Sequence, residues 1–141
     1  MQRLFYFWLL GLGVAHAVGG VLLIFLVDTA LLKPYLDYLA YTVSGQGIHQ
    51  PGVKVLLSLF GPTVASWGIL FCLAVDYYYT SGKAQIKWLS FAAIFVWLLL
   101  DSTISGIHGL YWHWFINGFV AIALGLQLLL LQPKLLRPNL L

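Results

Sequence analysis

Four long apolar segments constrain this chain more than any other feature of its sequence. They cover residues 4–27, 53–75, 88–106 and 110–131, and each has close to or more than the roughly 20 residues that a helix needs to cross a bilayer. Lipid offers no partners to backbone polar groups, so a segment that lipid surrounds must pair them internally as a helix. Strands of a membrane barrel would alternate polar and apolar residues, and none of the four segments does. The sequence therefore predicts an all-α fold, a four-transmembrane-helix antiparallel bundle.

Composition indicates that lipid, rather than water, surrounds these helices. The 141 residues are 62% hydrophobic and 8% charged, and their mean hydropathy is +0.94. A water-soluble domain has about 45–50% apolar and about 25% charged residues. The length accommodates four spans and their connections, so we expect a single integral membrane domain over residues 1–141.

The basic residues predict the orientation of the bundle, because short cytoplasmic loops are enriched in Lys and Arg. With the N-terminus inside, the inner side holds Arg3, Lys83, Lys87, Lys134 and Arg137, and the outer side holds Lys33 and Lys54. We therefore expect both termini in the cytoplasm, and a bacterial inner membrane as the location. Basic residues scattered in this way are topological anchors, so no nucleic-acid partner is expected.

The outer connection, residues 28–52, is long enough to hold structure of its own. Pro34 can begin a helix, and apolar side chains recur after it at helical spacing. These side chains are Leu32, Tyr35, Leu36, Leu39 and Val43. The pattern predicts a short amphipathic outer-surface helix between the first and second spans, followed by a glycine-rich turn at residues 44–47.

Polar residues inside the spans are the strongest functional signal. An ionisable side chain costs roughly 2.5–3.5 kcal/mol at a helix centre on insertion scales, so it indicates function by default. Asp101 and His16 are such residues, and Asn117 lies on a small and polar ridge of the last span, one turn from His113. We expect Asp101, Asn117 and His16 to converge in the outer half of the bundle, where the second span is made irregular by Pro62.

The leading functional hypothesis is an outward-facing pocket with a polar floor, which binds a small apolar molecule or a transmembrane helix of a partner. The candidate ligand-binding residues are Asp101, Asn117, His16, His113, Trp97, Trp67 and Ser66. Two structural explanations for these residues remain open besides the binding hypothesis. The glycines around His16 can let a neighbouring helix approach, and Asp101 can simply pair with Asn117.

Three further hypotheses compete with this one. The histidines, His16, His49, His108 and His113, allow a haem- or quinone-linked redox protein, although only His16 lies deep in a span, and we predict no cofactor. Asp101 and His16 could also be the acid and base of an intramembrane enzyme, but no known catalytic motif accompanies them, so the catalytic residues stay unassigned. Stripes of small residues favour an accessory subunit or a homo-oligomer. The histidine spacing and the single cysteine predict no metal site.

In size and topology the chain resembles several families of small four-helix membrane proteins, the DoxX-like group among them. The resemblance covers the arrangement of the spans and no motif, so it implies a fold and carries over no function.

Overall fold

The computed structural model describes residues 1–44 and 51–134, and helices account for nearly all of them. In chain order the helices are α1 (Gln2–Leu26), α2 (Lys33–Ser44), α3 (Pro51–Ser81), α4 (Ala84–Ile107) and α5 (Tyr111–Leu130). All except α2 are long and apolar enough to cross a membrane. The predicted all-α, four-span bundle is therefore confirmed. The glycine-rich turn was predicted at residues 44–47, but Ser44 is the last residue of α2. Residues 45–47, His49 and Arg137 lie outside the described residues.

The helix boundaries differ most from the prediction around the connection between α3 and α4. α3 continues six residues past its predicted end at 75, and α4 begins at Ala84 rather than 88. The turn between them needs only Gly82 and Lys83, because Gly82 has a φ of +71°, in the left-handed region that glycine adopts without strain. Gly109, with a φ of +73°, follows α4 in the same way.

The antiparallel order gives the bundle two ends. The terminal end contains the N-terminus, the end of α5 and the α3–α4 turn, and the α2 end contains α2 and the α4–α5 turn. At the terminal end, side chains of other helices bind the last carbonyls of α5. Lys87 Nζ donates to the Leu129 oxygen at 2.7 Å and Gln2 Nε2 to the Leu130 oxygen at 3.1 Å. Tyr78 donates to the oxygen of residue 131 at 3.1 Å. These bonds satisfy carbonyls that a helix end leaves unpaired.

The apolar core fills the half of the bundle nearer the terminal end. Its buried members are Leu9, Phe71, Val75, Tyr78, Ile94, Leu124, Leu128 and Leu131. The buried polar residues that the structure describes, Ser105 and Asn117, lie further toward the α2 end. The α2 half is therefore the polar half of the bundle.

The closest helix pair is α1 with α3, and glycines make it possible. A Cβ added to Gly20 would overlap the backbone of Gly61 and Ala65, and one added to Gly68 would overlap the backbone of Gly13 and Ala17. The two backbones therefore touch, as small residues allow in membrane helices.

The proline of α3 does not interrupt its helix. Pro62 lies inside α3 and its side chain is exposed, so the irregularity predicted at this position does not divide the helix. Gly61, the residue before it, packs against Gly20 of α1.

The amphipathic helix is present where the sequence predicted it. α2 buries Leu36 and Ala40, whereas Val43 and Tyr41 are exposed. Its Thr42 methyl group lies close to Gly109 in the α4–α5 turn. α2 therefore packs over the polar end of the bundle.

Candidate functional site

Asp101 and Asn117 join α4 to α5 through a direct hydrogen bond. Asn117 Nδ2 donates to Asp101 Oδ2 at 2.5 Å and lies 3.3 Å from Ser102 Oγ. Asn117 is only 5% exposed, and a buried amide needs such partners. The short α4–α5 turn makes the two helices antiparallel neighbours, which places position 101 opposite position 117.

Each of these two side chains keeps one oxygen without a hydrogen-bond partner in the described chain. They are Oδ1 of Asp101 and Oδ1 of Asn117. In this part of the chain, no side-chain nitrogen or oxygen is both fully buried and unpaired. Neither oxygen is therefore fully buried, and each keeps a lone pair for a further hydrogen bond.

A second set of hydrogen bonds ties α2 to this site. His113 Nδ1 lies 3.1 Å from Ser105 Oγ, and His113 Nε2 lies 3.2 Å from the hydroxyl of Tyr35 on α2. The rings of Tyr35 and His113 are also nearly parallel, with centroids 6.1 Å apart. Ser105 is 3% exposed, so its hydroxyl depends on the imidazole for a partner.

The two sets are neighbours. Burial raises the pKa of Tyr35, and the nearby negative charge of Asp101 raises it further. Along α4, Asp101 and Ser105 are one turn apart on one face, as His113 and Asn117 are on α5. We call this group the Asp101 cluster: Tyr35, Asp101, Ser102, Ser105, His113 and Asn117.

The Asp101 carboxylate has no cationic partner among the described residues. Asp37 pairs with Lys33 and Asp28 pairs with Lys54, each at 2.7 Å. Asp76, near the terminal end, accepts a hydrogen bond from the Tyr6 hydroxyl at 2.7 Å. Asp101 thus stands inside a span with a neutral amide as its hydrogen-bond donor.

A shallow groove of about 270 Å³ lies beside the cluster on α4. It is lined by Phe95, Leu98, Leu99, Ser102, Thr103 and Trp114. The Trp114 indole donates to the Ser102 carbonyl at 2.7 Å and packs where Gly106 has no side chain. Thr103 donates to the Leu99 carbonyl at 2.7 Å. The Trp114 indole and the Thr103 hydroxyl, which line the groove, are thus hydrogen-bonded within the protein. The groove therefore presents an apolar surface.

Ser102 separates this groove from Asp101. It lines the groove, and its hydroxyl also lies against the Asn117 amide. Asp101 is not among the groove-lining residues, and successive residues of a helix are about 100° apart around its axis. The groove therefore lies beside the cluster and does not include the Asp101 carboxylate.

His16 belongs to a different helix contact. Its Nδ1 lies 2.7 Å from the carbonyl oxygen of Leu12, one turn back on its own helix, and its ring lies 4.9 Å from that of Trp67 on α3. Trp67 in turn stacks on Phe71 at 5.2 Å. Because the glycines draw α3 against α1, the imidazole is covered by Trp67, and it makes no hydrogen bond to the Asp101 cluster. Asp101 and Asn117 thus meet as predicted. His16 was predicted to join them, but it forms no hydrogen bond to either residue.

Some of the other candidate residues lie in or near the Asp101 cluster, and others lie away from it. His113 is in the cluster, and the half-buried Trp97 precedes Asp101 by one turn of α4. Ser66 is exposed on α3, and His108 is exposed after the end of α4. No three His, Cys, Asp or Glu side chains are grouped as metal ligands within residues 1–44 and 51–134. The haem, quinone and acid–base hypotheses stay predictions.

Sequence reasoning missed three members of the cluster. Ser102 and Ser105 could have been included from their positions beside Asp101 and one turn after it. Tyr35 gave no such signal, because its role depends on how α2 packs over α5. In comparisons of the sequence and the fold with known proteins, no family model, curated protein or solved structure matched this chain.

Proposed function

We propose that this protein is a membrane-embedded binding protein whose site is the Asp101 cluster. Its ligand is a small, largely apolar molecule with a polar group that donates hydrogen bonds to Asp101. The observation that carries the proposal is Oδ1 of Asp101, a carboxylate oxygen within a span that is not fully buried and has no partner in the described part of the chain.

The energetics favour a role for Asp101 beyond packing. Asn117 needs an acceptor, and a hydroxyl or amide oxygen could serve without the insertion cost of a carboxylate. The carboxylate offers what those groups lack, a second strong acceptor and a charge. A ligand donor at that oxygen would exploit both.

The position of α2 suits a cover over such a site. Tyr35 bonds to His113, and Leu36 and Ala40 are buried beneath the helix. A ligand dissolved in the bilayer would reach Asp101 from within the membrane, below α2. Half-buried Trp97, one turn nearer the terminal end, would meet its apolar body.

The same proposal includes the orientation. The described basic residues of the terminal end are Arg3, Lys83, Lys87 and Lys134, whereas Lys33 and Lys54 lie toward the α2 end. This asymmetry supports cytoplasmic termini and an outward-facing site, and we place the protein in a bacterial inner membrane.

Photolabelling tests the site. The protein, in nanodiscs of zwitterionic lipid, is irradiated with a long-chain alcohol that carries a diazirine, and the adducts are mapped by peptide mass spectrometry. We expect adducts on α4 and α5 around Asp101, competed by the unlabelled alcohol and reduced in Asp101→Leu. Asp76→Asn, which alters a carboxylate near the terminal end, is the matched control and should label normally. Equal labelling of Asp101→Leu and the native protein, or adducts confined to the Phe95 and Leu99 groove, would overturn the proposal.

A further inference from the structure

We infer that the polar group of this ligand is an amine, which binds Asp101 as an ammonium ion. The inference rests on the proposed function and adds the chemical class of the ligand. It starts from the four acidic residues of the chain, of which Asp101 and Asp76 have no basic partner among the described residues and Asp101 lies in the cluster.

Two of the other acids have basic partners, whereas Asp76 accepts only from the Tyr6 hydroxyl. Lys33 and Lys54 are engaged by Asp37 and Asp28 at the α2 end of the bundle. Lys87 binds the last carbonyls of α5, at the end of the bundle remote from α2. Among the described residues, no lysine, arginine or histidine forms an ion pair with Asp101. The cationic partner of this carboxylate would therefore come from outside the described chain.

No charged group forms a hydrogen bond to Asp101 among the described residues. Its donor is the Asn117 amide, and the nearby hydroxyls of Ser102 and Tyr35 are neutral. His113 has both ring nitrogens engaged, by Ser105 and Tyr35. A carboxylate in a medium of low dielectric gains most from a full opposite charge. A neutral alcohol at the same oxygen would leave the charge in place.

The number of acceptors also matches an amine. An ammonium group has three N–H donors and no acceptor. The site offers two acceptor oxygens that nothing in the described chain fills, Oδ1 of the half-buried Asp101 and Oδ1 of the more deeply buried Asn117. A fatty acid brings a second carboxylate, which Asp101 repels, and an alcohol brings a single donor.

The proton balance is the same whichever form of Asp101 meets the ligand. A carboxylate binds an ammonium ion directly. A protonated Asp101 transfers its proton to the lone pair of a neutral amine, which breaks the O–H bond and forms the N–H bond. Both routes end at the same ion pair, with no other reactant.

Competition against the photoreactive alcohol tests the inference. The competitors are a primary amine, an alcohol and a fatty acid of equal chain length, with nanodiscs of zwitterionic lipid to limit non-specific attraction of the amine. We expect half-displacement by the amine at a concentration about tenfold or more below that of the alcohol, the equivalent of about 1.4 kcal/mol, and the weakest competition from the fatty acid. In Asp101→Asn, which keeps the volume and an acceptor oxygen, the amine should lose this advantage while the alcohol still competes. Asp76→Asn should keep the preference.

The outcomes separate the two levels of the proposal. If the alcohol labels the site and competes as well as the amine in the native protein, the amine inference is wrong and the binding site stands. If the amine keeps its advantage in Asp101→Asn, Asp101 does not recognise it and the inference is also wrong. If no probe labels around Asp101, the proposed function fails and the inference fails with it.

Discussion

Between α1 and α3 the backbones themselves touch through glycines, whereas α4 and α5 meet through polar side chains. At the first contact, Gly20 and Gly61 face each other with no room for a Cβ. At the second, Asn117 and Asp101 share a hydrogen bond within the spans. Both pairs are antiparallel neighbours in one bundle. A larger side chain at a glycine would disrupt the first contact, whereas loss of one hydrogen-bonding side chain would disrupt the second.

The α1–α3 contact holds the fold together, whereas the α4–α5 contact also offers groups that a ligand can bind. The glycine positions of the α1–α3 contact bring no side-chain donor or acceptor, although His16 and Trp67 lie beside them. The α4–α5 contact leaves oxygens on Asp101 and Asn117 that are not fully buried and have no partner in the described chain. Substitutions that distinguish the two contacts therefore test the site as well as the fold.

The largest effect is expected from Gly20→Leu. The new side chain would meet the backbone of Gly61 and Ala65, which cannot move aside as a flexible side chain does, so we expect a loss larger than the about 1–3 kcal/mol of ordinary overpacking. Unfolding in mixed micelles, followed by circular dichroism, measures it. Gly19→Leu is the matched control, because nothing lies within 4 Å of a Cβ at Gly19. Equal destabilisation by the two variants would show that this glycine contact is not what holds α1 to α3.

Asp101→Leu should come next, with a loss of about 1–3 kcal/mol, because it leaves the buried Asn117 amide without its main acceptor. In the Asp101→Leu/Asn117→Leu double variant much of this loss should return, since no unpaired amide remains. A double-mutant cycle of unfolding free energies gives the coupling. Additive losses would mean that the two side chains do not stabilise each other.

Tyr35→Phe should produce a smaller change, confined to α2. It removes the hydroxyl that bonds to His113, and such bonds in membrane proteins contribute about 0.6 kcal/mol on average. Faster hydrogen exchange of the α2 amides is the expected result. Tyr41→Phe serves as the control on the same helix, because Tyr41 is 68% exposed. Equal exchange in the two variants would exclude the Tyr35–His113 bond as the link that holds α2.

The smallest expected effect is a shift in the ionisation of Tyr35. Its pKa is raised above the usual 10.0 by burial and by Asp101, so the contribution of Tyr35 to stability is complete below about pH 10 and is lost as the pH rises through the higher folded value. Phenolate absorbance, taken as the difference between the native protein and Tyr35→Phe, reports this titration. Asp101→Asn should move the pKa toward its usual value, whereas Asp76→Asn should not. An unchanged titration in Asp101→Asn would place the two groups out of electrostatic reach.

The sequence predicted the helices and half of the Asp101 cluster. Features that depend on neighbouring residues were predicted, and features that depend on contacts between distant helices were not. Apolar length predicts a span, and Pro34 with helical spacing predicts α2, because both patterns are local. The pairing of Asp101 with Asn117 follows from a short turn between adjacent helices. The partner of His16 depends instead on which stripe of α1 faces α3. Glycines lie on more than one face of α1, and only the packing of the whole bundle determines that Gly13 and Gly20 contact α3 while Gly11 and Gly19 do not.

The bonds from Gln2, Tyr78 and Lys87 to the last carbonyls of α5 determine where the bundle can open. They anchor α5 to α1, α3 and α4 at the terminal end, so a separation of α4 from its neighbours at the α2 end would be a rotation about the terminal end. α4 has 24 residues and, at about 1.5 Å per residue, a length of about 36 Å. A tilt of about 5° would then move its far end by about 3 Å. A rotation this small would widen the space around Asp101 while the apolar core stays packed.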